Sequence, residues 1–380
     1  MLSLVWRKIK SNIMNKKFII YGIGDGVKSQ PYLNKLCSIL KLSGEVSFYH
    51  WRRKSKFKKI VDAENSIDKM IFHAGKGNSK AIFLFYPVWM AIVFFHALVK
   101  SKSADMIFCS KFESSLPLAV LSLFINVKYV YLDRDNIAFS YKWPVRLRNI
   151  LLKLESFIGR NAELHLVPGH SRVYEHRKNI RVVENTPSKL LMDAALKIDA
   201  SRFLENLGGN KIVYINGWLS DSRGFGTILK ACALIERDDS VTFVFAGSGN
   251  DDQISEIKEA KNCRYLGHLS NQESLALYFK VTCVVSLFDP SVEIHQRAEP
   301  NKWYDCIFTG TPIIVNREIE AANGFIKNHG FLAVDFGDAQ GLADMISKLS
   351  DRQEFQGEVA EPNGFDYWDV KMTDVLTELL

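Results

Sequence analysis

The sequence predicts an α/β protein of two domains, each built on a parallel sheet. Three observations predict it: a length suited to two domains, an alternation of short apolar strands with helix-length segments, and a restart of that alternation after a proline-containing break near residue 187. The chain has 380 residues, 47% apolar and 24% charged, a globular composition in a chain too long for one ordinary core. Residues 18–21 read as a strand that runs into Gly22, Gly24 and Gly26, and a helix-like stretch follows over 32–42. Further strands are expected at 46–50, 106–109, 127–132 and 164–167, most of them separated by enough chain for a crossover helix. After the linker expected at 185–188 the pattern resumes, with strands at 212–215, 242–246, 283–287 and 312–315. No repeat of 20–50 residues and no low-complexity tract interrupts it.

The formal net charge of +7 conceals a larger asymmetry. Residues 1–190 carry 32 Lys+Arg against 13 Asp+Glu, a balance of +19, and residues 191–380 carry 17 against 29, a balance of −12. An anionic partner is expected at the first half: a membrane surface, a nucleic acid or an anionic substrate, with plain solubility charge as the bland alternative. No nucleic-acid-binding module accompanies the basic residues, so nucleic acid is not expected. The six cysteines are scattered without metal-ligand or disulfide spacing, which reads as reduced thiols in a cytoplasmic setting. No secretory signal is visible near the N-terminus, where the apolar run 2–6 is cut short by Arg7, Lys8 and Lys10.

Residues 81–99 form nineteen consecutive positions without a formal charge, close to the roughly 20 that span a bilayer. Pro87, His96, the flanking Lys80 and Lys100, and the strand expected at 106 argue instead for a buried or interfacial helix. The nearby Arg52, Arg53, Lys54, Lys56, Lys58 and Lys59, with the basic arm around Trp6, favour the interfacial one.

The second half carries several motifs in a telling order. Asn216-Gly217-Trp218-Leu219 precedes Ser222-Arg223-Gly224; then come Phe245-Ala246-Gly247-Ser248-Gly249 and Arg264-Tyr265-Leu266-Gly267. Pro300-Asn301-Lys302-Trp303-Tyr304-Asp305 is followed by Gly310-Thr311-Pro312-Ile313-Ile314-Val315. Together these resemble the family 4 glycosyltransferases, retaining enzymes of bacterial surface-polysaccharide type. Fainter matches in the first half are Val130 to Asp135, Glu155 with Asn161-Ala162-Glu163, and Glu184-Asn185. The resemblance implies the GT-B fold, an α/β architecture of two Rossmann-like domains whose parallel sheets face each other across a cleft. It implies a basic acceptor-side domain over 1–186, a donor-binding domain over 187–360, and a C-terminal helix over 361–380 that returns to the first domain.

A nucleotide-sugar donor carries a diphosphate leaving group, so its site must supply cations, backbone N–H groups or a helix N-terminus. Arg223 and Lys302 are the candidate cations. Gly217 lets the backbone approach the phosphates, and Gly224 allows the turn into a helix whose positive end faces them. Asp305 stands where the resemblance places a ribose-binding glutamate. Gly247, Asn301 and the segment Tyr265 to Gly267 complete the expected donor contacts. Plain structural or solvated roles are the alternative at each position.

Two departures from the family pattern stand out. Its other glutamate falls on Arg297, which leaves Glu293 or Glu299 to supply the missing acid, and its phosphate-binding arginine after the first glycine is Trp218 here. On the acceptor side, Asp135, or Asp133 beside it, is the candidate to orient or deprotonate a hydroxyl. Gly22, Gly24 and Gly26 do not complete a dinucleotide fingerprint, whose third glycine would fall on Val27. No metal site and no cofactor are expected; the nucleotide sugar is a substrate.

The function implied is transfer of a sugar from a nucleotide donor to a hydroxyl of a lipid-linked glycan, at the inner face of the cell membrane with the protein held peripherally. A nucleotide-sugar epimerase of similar fold is the alternative enzyme, and a non-catalytic sugar- or lipid-binding relative is the alternative from outside catalysis.

Overall fold

A computed structural model describes residues 15–27, 30–54, 67–76, 80–205, 207, 210–238, 240–350 and 364–379. The basic arm around Trp6, the lysines at 56, 58 and 59, and the boundary expected at 360/361 lie outside the described residues. The chain forms two compact units, residues 1–184 with 369–380, and residues 185–368.

The first unit is a seven-stranded parallel sheet in the order β3-β2-β1-β4-β5-β6-β7. Its strands are β1 (Lys16–Ile23), β2 (Gly44–Lys54), β3 (Asp68–Lys76), β4 (Met106–Ser110), β5 (Tyr129–Leu132), β6 (Leu164–Val167) and β7 (Ile180–Val182). The helices between them are α1 (Pro31–Leu40), α2 (Tyr86–Lys100), α3 (Phe112–Leu121), the single turn α4 (Ile137–Ser140) and α5 (Val145–Asn161). Central strands are apolar over most of their length because both faces are covered. Tyr21, Trp51, Ile107, Cys109, Tyr129 and Tyr131 point to the face shared with α2, α3 and α5, where they meet Trp89, Val93, Leu118 and Ile158. Their alternates Phe18, Ile20, Phe48 and Phe108 are buried as well.

Helix α2 settles one reading of the apolar segment. Trp89, Val93 and Ala97 recur every fourth residue, are fully buried, and pack α2 onto the sheet, while the Trp89 indole N–H donates to Ser114 Oγ at 3.1 Å. That stripe of the segment is thus a core stripe, laid along the sheet.

The second unit is a six-stranded parallel sheet in the order β10-β9-β8-β11-β12-β13. It comprises α6 (Lys189–Ala195), β8 (Lys211–Trp218), α7 (Phe225–Ile235), β9 (Val241–Ser248), α8 (Asp251–Glu259), β10 (Cys263–Tyr265), α9 (Asn271–Tyr278), β11 (Cys283–Ser286), α10 (Asn301–Thr309), β12 (Ile313–Asn316), α11 (Glu320–His329), β13 (Leu332–Val334) and α12 (Ala339–Lys348). One face packs against α7, α8 and α12 and the other against α6, α9, α10 and α11. A last helix, α13 (Trp368–Leu379), closes the described chain; from Asp369 it belongs to the first unit, where Lys371 pairs with Glu184.

Candidate functional site

Strands β8 and β11 are neighbours whose following helices leave in opposite directions, α7 to one face of the sheet and α10 to the other. Such a switch point opens a crevice beyond the strand ends. There lies a cavity of 180 Å³ lined by Gly217, Trp218, Arg223, Leu287, Phe288 and Lys302 among others, with two cations and no carboxylate in its wall. Sites that enclose a whole small ligand usually measure about 300–1,000 Å³. This one has room for a compact group such as a diphosphate, with the rest of a larger ligand lying outside it.

Each cation is held by a specific neighbour. Lys302 sits in the first turn of α10 next to Trp303, which is buried with its indole N–H on Ser286 Oγ at 3.1 Å. The Lys302 amine donates to the Asn216 carbonyl at 2.7 Å. The Asn216 side chain is itself fixed by donating to Ser274 Oγ at 3.0 Å and to the Tyr278 hydroxyl at 3.1 Å. Burial, and then the Arg223 charge, lower the Lys302 pKa to about 8. Arg223 ends a short 3-10 turn, Asp221–Arg223, and its guanidinium lies over the Phe288 ring, 4.1 Å from the centroid.

Gly224 follows with φ 71°, and a Cβ there would meet the Leu287 side chain at 2.7 Å, so glycine alone lets α7 begin against the end of β11. Neither α7 nor α10 has a side-chain cap. Their first-turn N–H groups and positive dipole ends therefore add to the attraction for an anion.

The other residues expected at the donor site form the neighbouring strand ends. Gly217 and Gly247 are paired in register, with φ 100° and 122°. The Gly247 N–H donates to the Gly267 carbonyl at 2.8 Å, and the Tyr265 hydroxyl donates to the Gly247 carbonyl at 2.6 Å. Asn301 opens α10. Asp305, one turn along, is absent from the cavity wall; burial and then its carboxylate push the Tyr278 hydroxyl well up. Glu293, itself exposed, begins a 3-10 turn that buries His295 and ends at Arg297. Glu299 is buried, its carboxylate accepting from the Tyr304 hydroxyl and its carbonyl from Asn185 Nδ2 at 2.7 Å. Phe288 was not legible as a site residue, although an aromatic directly after an apolar strand end is a signal that could have flagged it.

The acidic tripeptide of the first unit splits in two. Asp135 is half-exposed beside Lys111, Nζ to Oδ2 3.0 Å; the protein packed around its covered half would raise its pKa, but Lys111 outweighs that and holds the carboxyl at about 2. At neutral pH Asp135 is therefore a hydrogen-bond acceptor. Lys111 has φ 69° and ψ 167°, a region otherwise left to glycine, so backbone strain marks this strand end. Arg134 lies over the Tyr32 ring at 4.0 Å.

Asp133 is buried in a separate cavity of 270 Å³ that Glu155, His165 and Arg177 also line. Arg177 can only donate, so its 2.9 Å contact with His165 Nδ1 leaves that atom the acceptor and puts the ring proton on Nε2, 3.3 Å from Asp133 Oδ2. Burial and then Asp133 drive the Glu155 carboxyl well up. Among the described residues no three His, Cys, Asp or Glu side chains gather to hold a metal.

Solved structures share this architecture over nearly the whole chain. A 2-epimerase described as a putative UDP-N-acetylglucosamine enzyme from Listeria monocytogenes superposes with a TM-score of 0.65 at 12% identity, covering 96% of each chain. Sucrose-phosphate synthase from Thermosynechococcus elongatus gives 0.62 at 14%, covering 96% of this chain and 95% of that one. The fold is GT-B. A third GT-B neighbour, a trehalose-6-phosphate protein from E. coli bound with UDP-2-fluoro glucose, gives 0.58 at 9%, covering 96% of both chains. No family model and no curated protein sequence matches the chain.

If the cavity takes a diphosphate, its affinity must depend on pH. Burial beside Arg223 favours the neutral Lys302 amine in the free protein, whereas a bound diphosphate favours the ammonium, so binding takes up a proton once the pH exceeds about 8. UDP affinity measured by titration calorimetry should be level below pH 7 and fall towards tenfold per unit above pH 8. Lys302→Arg should flatten the profile. A level wild-type profile to pH 9.5 would remove the amine from the phosphates.

Proposed function

We propose that this chain is a glycosyltransferase of family 4 type that takes its sugar from a nucleotide donor, most simply a UDP-sugar. The observation that carries the reading is the anion-binding crevice of the second unit: two cations, no carboxylate, two uncapped helix starts and two positive-φ glycines at the ends of β8 and β9. The neighbour bound with UDP-2-fluoro glucose supports a UDP-sugar as the class of donor.

In this reading Arg223 and Lys302 hold the diphosphate, and Gly217 lets the backbone come within hydrogen-bonding distance of it. The bond between the anomeric carbon and the diphosphate oxygen breaks, the acceptor oxygen bonds to the same carbon, and the hydroxyl proton passes from the acceptor to the departing diphosphate. Negative charge collecting on the departing diphosphate meets fixed positive charge, which lowers the barrier without a metal ion. Gly247, Tyr265, Gly267, Asn301 and Asp305 frame the nucleoside. Of the two candidate acids, Glu293 is the better donor-side carboxylate, because it is exposed whereas Glu299 is buried. Asp135 orients the acceptor hydroxyl. Transfer retains the anomeric configuration, and the acceptor is a lipid-linked glycan in surface-polysaccharide assembly at the cytoplasmic face of the membrane.

Epimerases share the architecture, so the deciding experiment must separate the two chemistries. The protein is incubated with UDP-glucose or UDP-N-acetylglucosamine labelled in the sugar, with and without a membrane lipid extract as acceptor. Transfer is expected to release UDP and move label into lipid only when extract is present. Inversion of the sugar without any acceptor would replace this reading by the epimerase one.

A further inference from the structure

The outer side of α2 is as apolar as its buried side. Phe83–Ser103 is a 21-residue helical stretch long and apolar enough to span a bilayer, yet only 17% of its most apolar window is buried. The core of the first unit uses the stripe Trp89, Val93, Ala97. A second stripe, Leu84, Val88, Phe95 and Val99, faces solvent, with Leu84 76%, Phe95 64% and Val99 73% exposed. A helix apolar all round belongs in a core or against lipid, and this one is only half in a core.

The stripe continues onto a second helix. Phe83 packs edge-on against Tyr141 and Trp143, at ring distances of 5.2 and 5.8 Å, which joins the start of α2 to the start of α5. There Val145, Leu147 and Ile150 are exposed in the first two turns. Tyr141 is 47% exposed and the Trp143 indole N–H is on the Ile137 carbonyl at 2.8 Å, aromatic rings with polar handles of the kind that sit at a membrane–water boundary.

Charge identifies the occupant. Residues 83–103 and 137–153 contain no Asp or Glu but carry Lys100, Lys102, Lys142, Arg146, Arg148 and Lys153. Apolar side chains interleaved with cations alone are complementary to an anionic lipid surface, which accepts both. His96, near the middle of α2, bonds to the Tyr21 hydroxyl at 2.8 Å, and burial lowers its pKa.

We infer that the outer face of α2 and the first turns of α5 form the surface by which this chain lies on an anionic bilayer. Both helices start from the C-terminal edge of the sheet, where β4 and β5 end at Ser110 and Leu132, shortly before Lys111 and Asp135. The bilayer contact thus borders the strand ends assigned to the acceptor. The inference rests on the proposed function only in naming a lipid-borne acceptor; binding to lipid needs no turnover and is measured without it.

The test is co-sedimentation of the full chain with phosphatidylcholine vesicles and with vesicles containing 30% phosphatidylglycerol, at low salt and at about 0.5 M salt, where exposed charges are screened within a few ångströms. The wild type should bind the acidic vesicles and lose most of that binding at high salt. The triple variant Leu84→Glu, Phe95→Glu, Val99→Glu should bind at least tenfold more weakly, with its melting temperature and UDP affinity unchanged. Charge reversal at Arg146→Glu with Lys153→Glu, which touches no apolar residue, should give a comparable loss. Binding equal to wild type in both variants, no vesicle binding at low salt, or a stable dimer that the triple variant dissolves would each overturn the inference. UDP binding in the same samples shows whether the donor site is intact, so failure at lipid is not confused with failure of the enzyme.

Discussion

Replacing Lys302 by methionine is expected to lower kcat/KM for sugar transfer by about two to three orders of magnitude, the usual cost of removing one preorganised group that stabilises charge developing in the transition state. Methionine keeps most of the buried stem and removes only the cation. Because the folded-state pKa of Lys302 lies below that of a free lysine, the ammonium opposes folding below pH 8, and that penalty fades as the pH rises through 8 towards the unfolded value. Lys302→Met should therefore melt no lower than wild type at pH 7. Arg223→Ala is expected to cost a similar factor, since it removes the other cation and the guanidinium stacked on Phe288. Arg223→Lys should recover part of it, a point charge being unable to reproduce the planar fork. UDP release from the donor, with thermal shift by UDP as a second readout, checks all three. Full activity in either Lys302→Met or Arg223→Ala would put the diphosphate elsewhere.

The largest structural effect is expected at Gly247. A Cβ on that residue would lie 2.1 Å from the Gly217 carbonyl oxygen and 2.9 Å from the Gly217 nitrogen, and the backbone is at φ 122°. The neighbour cannot yield by a side-chain rotation, since it is strand backbone locked in register with β9. Overpacking and a forbidden backbone region each cost about 1–3 kcal/mol. Gly247→Ala should then lose about 3 kcal/mol, roughly 6–12 °C in melting temperature for a unit of this size. Gly324→Ala is the control: it lies inside α11, has open space where the Cβ would go and has no positive φ. There alanine should gain about 0.5–1 kcal/mol by restricting the unfolded chain. Thermal melts followed by circular dichroism compare the two; an unperturbed melt for Gly247→Ala would mean that the strand ends are spaced more widely than described.

The central strands were legible in the sequence because they are buried on both faces and so read as unbroken apolar runs, as in Phe18 to Tyr21 or Cys283 to Val285. The strands that escaped notice, β3, β7, β10 and β13, lie at or beside sheet edges or span three residues. With one side wet, β3 mixes Asp68, Lys69, His73 and Gly75 into its run, and neither alternation nor an apolar block survives. The apolar segment 81–99 was ambiguous for a different reason: spacing shows that two stripes exist, but only tertiary packing shows which one faces the sheet. Lys302 and Arg223, which share one cavity wall, were legible as candidates because cations near glycines are what a diphosphate needs. Their supports were not, since Phe288 lies far along the chain from Arg223 and Asn216 acts through its carbonyl. Asp133 and Asp135 look equivalent as letters, yet the first is interior and the second exposed, because the chain turns directly after Leu132.

The low pKa of Lys302 also has a chemical side. An amine that loses its proton near pH 8 is present as the free base at neutral pH two to three orders of magnitude more often than an ordinary lysine. The free base is the nucleophile. In the proposed reading the amine that would meet the diphosphate is therefore also the natural target for acylating reagents, and an occupied crevice would shield it from them.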